Sequence, residues 1–327
     1  MKKIVFSAIL IIACGTLFAQ QNGVSRPTGL YLGQKLPGDV PELFAPGIVS
    51  TGLDELNSVF SPDGSELYFC LRKPTGASIF QMKMRNGIWG KPELLPFASR
   101  FGDIDINISS DGTKLFFSSR RPLPGTTEPK KDNDFWMVDR KGNTWGNPVY
   151  LGKLINSESE DYFPMVTKNG NLYFSSQREG QGTNNIYRSK LVKGEYSTAE
   201  KLDSSINSEF REFDPYVSPD ESFIIFASSR PNGFGGDDLY ISFRKPDGYW
   251  TKARNMGDKI NSMGSEYSPM LSPDGKYMFF TGSRRTPLST IPENPQDYSD
   301  FKRFNNSPQN YFSDIYWVDA KIINELK

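Results

Sequence analysis

A ten-residue stretch, Phe60 to Phe69, constrains the fold most, because it returns four more times along the chain. In each copy an apolar run ends in a turn resembling Ser-Pro-Asp-Gly, and a second apolar run follows. The turns begin at Ser61, Ser109, Thr167, Ser218 and Ser272. Asp-Gly and Asn-Gly supply the positive φ angles of tight hairpins. A hairpin that recurs about every fifty residues is typical of a β-propeller.

Each unit supplies four strand-like segments, A to D, with A before the turn and B after it. The fifth unit lacks segment D before the chain ends at Lys327. Pro41-Glu42-Leu43-Phe44 resembles the segment D sequence Pro92-Glu93-Leu94-Leu95. We therefore predict an all-β propeller of five four-stranded blades, in which residues 40–49 complete the last blade; six blades are the alternative. The propeller domain spans 39–327, and residues 20–38 form a lead-in segment.

The repeats resemble the TolB-type, WD40-like propeller repeat of bacterial envelope proteins. The resemblance rests on Ser-Pro-Asp-Gly at 61–64 and 272–275, and on the stretch from Ser228 to Tyr240. That stretch is similar to propellers of secreted or outer-membrane-associated Bacteroidetes proteins. The resemblance covers residues 40–320. It implies a platform that recognises a protein or glycan partner in the cell envelope.

The N-terminus reads as a secretory signal peptide, residues 1–19. Two lysines precede an apolar run that is too short for a comfortable membrane span. Leu17-Phe18-Ala19 suits ordinary signal peptidase, whereas Ile11-Ile12-Ala13-Cys14 resembles a lipobox and would leave a lipid on Cys14. Both alternatives predict export to the periplasm, the outer membrane or the exterior. We favour the first alternative; only the second, through a lipid on Cys14, would give the protein a membrane contact.

Composition excludes several functions. The chain contains no histidine, which removes Ser-His and Cys-His dyads and histidine metal ligands. Lys plus Arg and Asp plus Glu both total 38, so no net charge favours a nucleic-acid partner. No catalytic motif is present, and a non-catalytic binding or scaffold module is therefore predicted.

An acidic residue lies six positions before each turn: Glu55, Asp103, Asp161, Glu212 and Glu266. If segment A is innermost, these carboxylates would ring the channel mouth, where they could bind Ca²⁺ or sugar hydroxyls. A basic residue lies four positions after the last Phe of each segment B: Lys73, Arg121, Arg178, Arg230 and Arg284. We favour a carboxylate–cation pair in each blade that fixes hairpin register, over a ligand-binding ring.

Asp105 and Asp214 depart from the repeat, because the other blades have Asn57, Phe163 and Ser268 at this position. Hydrolysis of a glycoside uses two carboxyl groups in different environments. Asp105 and Asp214 are therefore the catalytic candidates if the chain is instead a carbohydrate-active enzyme, such as a glycoside hydrolase or lyase.

Two long loops connect segments B and C, at Pro122–Asp132 in blade 2 and Thr286–Ser313 in blade 5. Long loops in compact domains are commonly functional. The blade 5 loop mixes aromatic and basic residues, which favour recognition surfaces. Its candidate partner-binding residues are Tyr298, Phe301, Arg303 and Phe304. Both loops should lie on the same face as the acidic residues.

Overall fold

The structure is a computed structural model that describes residues 26–74, 76–284 and 297–327. The predicted signal peptide, Cys14 and residues 285–296 of the blade 5 loop lie outside the described residues. The strands in chain order are β1 (Glu42–Leu43), β2 (Glu55–Phe60), β3 (Glu66–Lys73), β4 (Gly76–Arg85), β5 (Ile88–Trp89), β6 (Glu93–Leu94), β7 (Asp103–Ile108), β8 (Lys114–Ser119), β9 (Asp134–Lys141), β10 (Thr144–Trp145), β11 (Val149–Tyr150), β12 (Asp161–Val166), β13 (Leu172–Ser176), β14 (Asn185–Ser189), β15 (Leu191–Val192), β16 (Glu195–Tyr196), β17 (Glu200–Lys201), β18 (Glu212–Val217), β19 (Phe223–Ser228), β20 (Asp238–Phe243), β21 (Arg254–Asn255), β22 (Glu266–Leu271), β23 (Tyr277–Gly282) and β24 (Asp314–Asp319).

These strands form five antiparallel blades. Blades 1 to 5 are β2-β3-β4-β6, β7-β8-β9-β11, β12-β13-β14-β17, β18-β19-β20-β21 and β22-β23-β24-β1. Short pairs involving β5, β10 and β15–β16 extend the outer hairpins. Each first strand contacts the first strands of both neighbouring blades, including β22 with β2, so the ring is closed around a central channel.

The predicted five-bladed fold and its closure are both confirmed. Strand β1 pairs with β24, with Glu42 opposite Trp317 and Leu43 opposite Tyr316. The N-terminal segment therefore supplies the outermost strand of blade 5. Because this blade combines both ends of the described chain, the ring has no separate edge between its first and last blades.

The repeated turn requires a residue with positive φ between the first and second strands of each blade. Glycine fills this position in four blades, as at Gly64 (φ 71°). In blade 4 Glu221 fills it, with φ 57°. Hydrogen bonds from Asn171 and Tyr173 and an ion pair with Arg244 (3.0 Å) hold its carboxylate. These contacts offset the steric cost of the left-handed conformation.

Residues 26–38, which we call the strap, cross the boundary between blades 1 and 5. The Trp89 backbone N–H donates to Pro27 O (2.8 Å), and the Asp319 N–H donates to Gly38 O (2.8 Å). Between these ends Tyr31 is buried against Phe60 of blade 1 and Trp317 of blade 5. The strap therefore joins the two blades that close the ring.

Two short helices, α1 (Tyr298–Asn305) and α2 (Lys321–Glu325), complete the described structure with a 3₁₀ turn at Leu30–Gly33. Helix α1 belongs to the blade 5 loop that the sequence predicts as a loop. Within the described ranges, no helix has the length and apolar character needed to cross a membrane.

Candidate functional site: the loop-bearing face and the channel

The connections that enter strand A and the connections between strands B and C share one end of the propeller, which we call the loop-bearing face. The five predicted acidic residues begin the A strands there, but all five are 0 % exposed. Each accepts a hydrogen bond from the hydroxyl four residues earlier, on Thr51, Ser99, Ser157, Ser208 and Ser262 respectively. They close the turns into the A strands and do not form an open ring at the channel mouth.

The expected ion pair is present in blades 2 to 5. The pairs are Arg121–Asp103 (2.7 Å), Arg178–Asp161 (3.0 Å), Arg230–Glu212 (3.1 Å) and Arg284–Glu266 (3.1 Å). Each guanidinium also lies over aromatic rings of strands B and C, as Arg178 does over Tyr187 at 4.6 Å. The acid, the arginine and the rings form one buried unit per blade. These four carboxylates are therefore occupied by the scaffold.

Blade 1 departs from the prediction, because Lys73 does not pair with Glu55. Strand β3 continues through Lys73, which lies opposite Gly76 in a short hairpin, whereas the B strands of the other blades end before the arginine. The Lys73 side chain therefore follows the hairpin, and its Nζ donates to Ser78 Oγ (2.7 Å). Glu55 keeps its turn contact with Thr51, but no basic side chain of the described residues forms an ion pair with it.

At the boundary of blades 1 and 5, Glu55 instead lies close enough to Asp314 for the charge of Asp314 to raise the pKa of Glu55. Glu55 Oε2 and Asp314 Oδ1 are buried and have no hydrogen-bond partner among the described residues. Burial raises the pKa of Glu55 to about 8 and that of Asp314 to about 7. Both carboxyl groups are therefore harder to ionise in the folded protein than in water.

A second repeated motif was missed by the sequence reasoning. Ile-Asn-Ser recurs at 155–157, 206–208 and 260–262, immediately before the A strands. The asparagine accepts from and donates to the backbone of strand C in the preceding blade, as Asn207 does with Ile186 (2.7 and 3.0 Å). The constant spacing of Ser from the acidic residue was the available signal. This motif fastens neighbouring blades together.

Asp105 and Asp214 each lie in a β-bulge, and a bulge of this kind occurs at the third residue of every A strand. This residue is left-handed in each blade: Asn57, Asp105, Phe163, Asp214 and Ser268, with φ between 43° and 57°. We call these five residues the bulge ring. A bulge redirects its side chain. Asp105 Oδ2 accepts from the Phe163 N–H (3.2 Å), and Asp214 Oδ2 accepts from Ser268 Oγ (2.7 Å).

The two bulge-ring carboxyl groups are 8 % and 5 % exposed. Burial raises the pKa of Asp105 to about 7 and that of Asp214 well above its ordinary value, and the charge of Asp105 contributes to the latter. Each group links its blade to the next. This buried position inside the channel does not present them to a polysaccharide chain, so the geometry does not add support to a catalytic pair.

The recognition candidates of blade 5 lie on the loop-bearing face. Asp297 caps α1 by accepting from the N–H groups of Ser299 and Asp300, and no α1 side chain is buried. Tyr298 and Phe301 are 73 % and 58 % exposed, while Phe304 is half-buried. Arg303 forms an ion pair with Asp300 (2.8 Å). The C-cap residue of α1, Asn306, lies directly against Gly52, where any Cβ would collide with its backbone.

Two concavities lie beside Phe101 on the same face. One of about 410 Å³ is bounded by Arg121, Pro122 and Trp136, and thus by the long loop of blade 2. The other, of about 290 Å³, contains Arg72 and Arg120. Within the described part of the chain, no three or more His, Cys, Asp or Glu side chains are grouped to hold a metal ion.

Comparison with solved structures finds proteins with propellers. TolB from Agrobacterium tumefaciens is 21% identical, with 70% of each chain covered and a TM-score of 0.47. TolB from Acinetobacter baumannii is 14% identical over 81% of this chain and 54% of its own, with a TM-score of 0.44. An endo-arabinase from Bacteroides thetaiotaomicron is 13% identical over 76% of this chain and 91% of its own, with a TM-score of 0.47.

No protein-family model and no curated protein matches the chain. All three TM-scores are below 0.5, so the fold assignment rests on the strand pairing itself. What those proteins bind or hydrolyse does not transfer to this chain.

Proposed function

We propose that the chain is a non-catalytic binding or scaffold module of the bacterial cell envelope, which recognises a protein or glycan partner through its loop-bearing face. The observation that carries this proposal is the placement of exposed aromatic side chains. Seven Phe or Tyr side chains of the described residues are more than a third exposed, and six lie on this face: Phe210, Phe234, Tyr298, Phe301, Tyr311 and Phe312.

Exposed aromatic residues at this density are more typical of a recognition surface than of an ordinary solvent-exposed surface. Exposed aromatic side chains supply contact area at a low entropic cost, and they are enriched at protein interfaces. They also stack on the apolar faces of sugar rings. Leu53 and Met263, at the tips of the turns into two A strands, add apolar surface to the same face. The opposite face contributes only Tyr249 to the exposed aromatics of the described chain.

Buried ion pairs and hydrogen bonds fix the scaffold beneath this face. The buried acid–arginine units and the Ile-Asn-Ser contacts hold the turns from which the exposed side chains project. A preorganised surface lowers the entropic cost of binding. The predicted signal peptide supports export, which would bring this face into contact with envelope proteins and glycans.

We expect the double substitution Tyr298→Ala, Phe301→Ala to reduce partner capture by at least about ten-fold, because hot-spot aromatics each contribute about 2 kcal/mol or more. Neither side chain is buried, so the fold should persist. The measurement is affinity capture from the envelope fraction of the producing cells, quantified by mass spectrometry, with a glycan array in parallel.

Tyr249→Ala is the matched control, since this tyrosine is 64 % exposed on the opposite face. Capture should be unchanged in the control. Equal capture by all three proteins would show that recognition does not use α1. Loss of capture in the control alone would move the binding site to the opposite face.

A further inference from the structure

We propose that a concavity at the outer rim of blade 1 binds a phosphomonoester group, carried by a lipid headgroup or by a soluble phosphorylated ligand. The concavity has a volume of about 410 Å³, and its basic lining residues are Arg26, Lys83, Arg85 and Lys91. It lies beside the turn that joins β4 to β5, on the side of the propeller opposite the loop-bearing face. The site is therefore separate from the partner-binding surface of the proposed function.

Three separate segments of the chain bring these basic side chains together. Lys83 and Arg85 alternate along β4, so both point to the same face of the strand. Lys91 lies in the link between β5 and β6, which pair with different parts of β4. The strap contributes Arg26, because the strap backbone is hydrogen-bonded to β5 just after this residue. The fold, and not one run of sequence, therefore gathers the four cations around one space.

The charge around this space is not balanced. Among the described residues that line the concavity, only Glu93 is acidic. Lys83 is paired with Glu66 (3.3 Å), which Arg140 also contacts (2.6 Å). The other three basic side chains form no ion pair with any described residue. Three unpaired cations and one carboxylate leave an excess of two positive charges. A phosphomonoester carries about two negative charges at neutral pH and would balance that excess.

The hydrogen-bond donors of the concavity also suit a phosphate. Each guanidinium presents paired N–H donors that match two phosphate oxygens, and each lysine adds a point charge. A phosphomonoester has three terminal acceptor oxygens, so it can engage more of these donors at once than a carboxylate with two oxygens.

The cations of the concavity depart from the repeat. In no other blade are the positions equivalent to Lys83 and Arg85 both basic. The equivalent pairs are Asp139 and Lys141, Lys190 and Val192, Phe243 and Lys245, and Asp319 and Lys321. The buried acid–arginine units, by contrast, recur in blades 2 to 5. A group of cations confined to blade 1 is therefore more typical of a binding site than of the propeller architecture.

The test is calorimetric titration of the purified chain with sodium phosphate at about pH 8, where phosphate is mainly the dianion. We expect saturable binding and a higher Tm than in sodium acetate of matched ionic strength. The double substitution Arg26→Gln, Arg85→Gln should weaken binding at least about ten-fold, because charge-assisted hydrogen bonds are lost. Both side chains are exposed, so the fold should persist. Glu93→Gln should tighten binding, because it removes the opposing negative charge.

Lys252→Gln, Arg254→Gln is the matched control, because it removes two exposed cations from the outer part of blade 4 and changes the net charge equally. Phosphate binding should be unchanged in the control. Absence of saturable binding by the wild-type chain, equal weakening in both double variants, or an equal response to acetate would overturn the proposal.

Vesicles distinguish the two sources of the phosphate. Co-sedimentation with vesicles of phosphatidylcholine and phosphatidic acid, lost in the Arg26→Gln, Arg85→Gln variant and inhibited by inorganic phosphate, would identify a lipid headgroup. Phosphate binding without co-sedimentation would identify a soluble phosphorylated ligand, and both results support the site. Tyr298→Ala, Phe301→Ala should bind phosphate normally, so the proposed function and this site are tested separately.

Discussion

Glu55→Gln should remove much of the alkaline loss of stability of this protein. Burial raises the pKa of Glu55 from 4.5 to about 8, so the folded state holds a proton that the unfolded state releases. The stability contributed by this group is complete below about pH 4.5 and is lost as the pH rises through about 8. At about pH 9 the variant should therefore exceed the wild type by roughly 2–4 kcal/mol.

Glutamine reproduces the protonated form, because it has nearly the same shape, can donate a hydrogen bond and cannot ionise. Urea unfolding at about pH 4.5, about pH 6 and about pH 9 measures the effect, since the linkage predicts near-equal stability at the lowest value and a gap that widens to its maximum at the highest one. Identical pH profiles for variant and wild type would mean that burial does not raise the pKa of Glu55 in the folded protein.

Glu212→Gln is the matched control for this experiment. Glu212 holds the same repeat position in blade 4 but pairs with Arg230 (3.1 Å). Its replacement leaves a half-buried guanidinium without its counter-charge, which should cost about 1–3 kcal/mol at the two higher pH values. The same Glu-to-Gln change should therefore stabilise the protein at high pH when it is made in blade 1, and destabilise it at the two higher pH values when it is made in blade 4.

Tyr31→Ala should cost about 3–5 kcal/mol, the range for removal of a buried aromatic side chain. Tyr31 is 7% exposed and packs between Phe60, Tyr277 and Trp317, with ring centroids 5.3 to 5.7 Å away. Its hydroxyl donates to Asp274 (3.1 Å). The loss should be measured by urea unfolding.

Tyr31→Phe separates packing from the hydrogen bond and should cost only about 1 kcal/mol. Tyr249→Ala, an exposed tyrosine, should change stability by less than about 0.5 kcal/mol. If Tyr31→Ala were as mild as Tyr249→Ala, the strap would lie on the ring without holding it closed.

The sequence predicts the blades because their signals are local and repeated. The tight turns and the apolar runs predict the architecture. The similarity of Pro41-Glu42-Leu43 to Pro92-Glu93-Leu94 predicts its closure. The same periodicity predicts the ion pairs of blades 2 to 5. The periodicity wrongly predicts an ion pair for Lys73. In blade 1 the connection between strands B and C is short, so β3 continues through Lys73 into a hairpin and the lysine side chain does not pair with Glu55.

Other features depend on signals that the repeat does not contain. The strap lacks any β periodicity, and Tyr31 enters the core from a left-handed conformation (φ 50°). Helix α1 does have a local signal, since Asp297 is a favoured N-cap, but it lies within a loop. The bulge ring depends on register between strands, which composition at a single position does not reveal.

Closure of blade 5 by β1 also constrains the order of folding. Ser50, just after β1, accepts from and donates to Ile315, 265 residues away. During synthesis β1 has no partner until nearly the whole chain has emerged, although blades 1 to 4 pair locally. Contacts so distant in sequence form late and slowly. The last step of folding should therefore be the pairing of β1 with β24. Intermediates before this step would expose an unpaired strand edge, which favours aggregation.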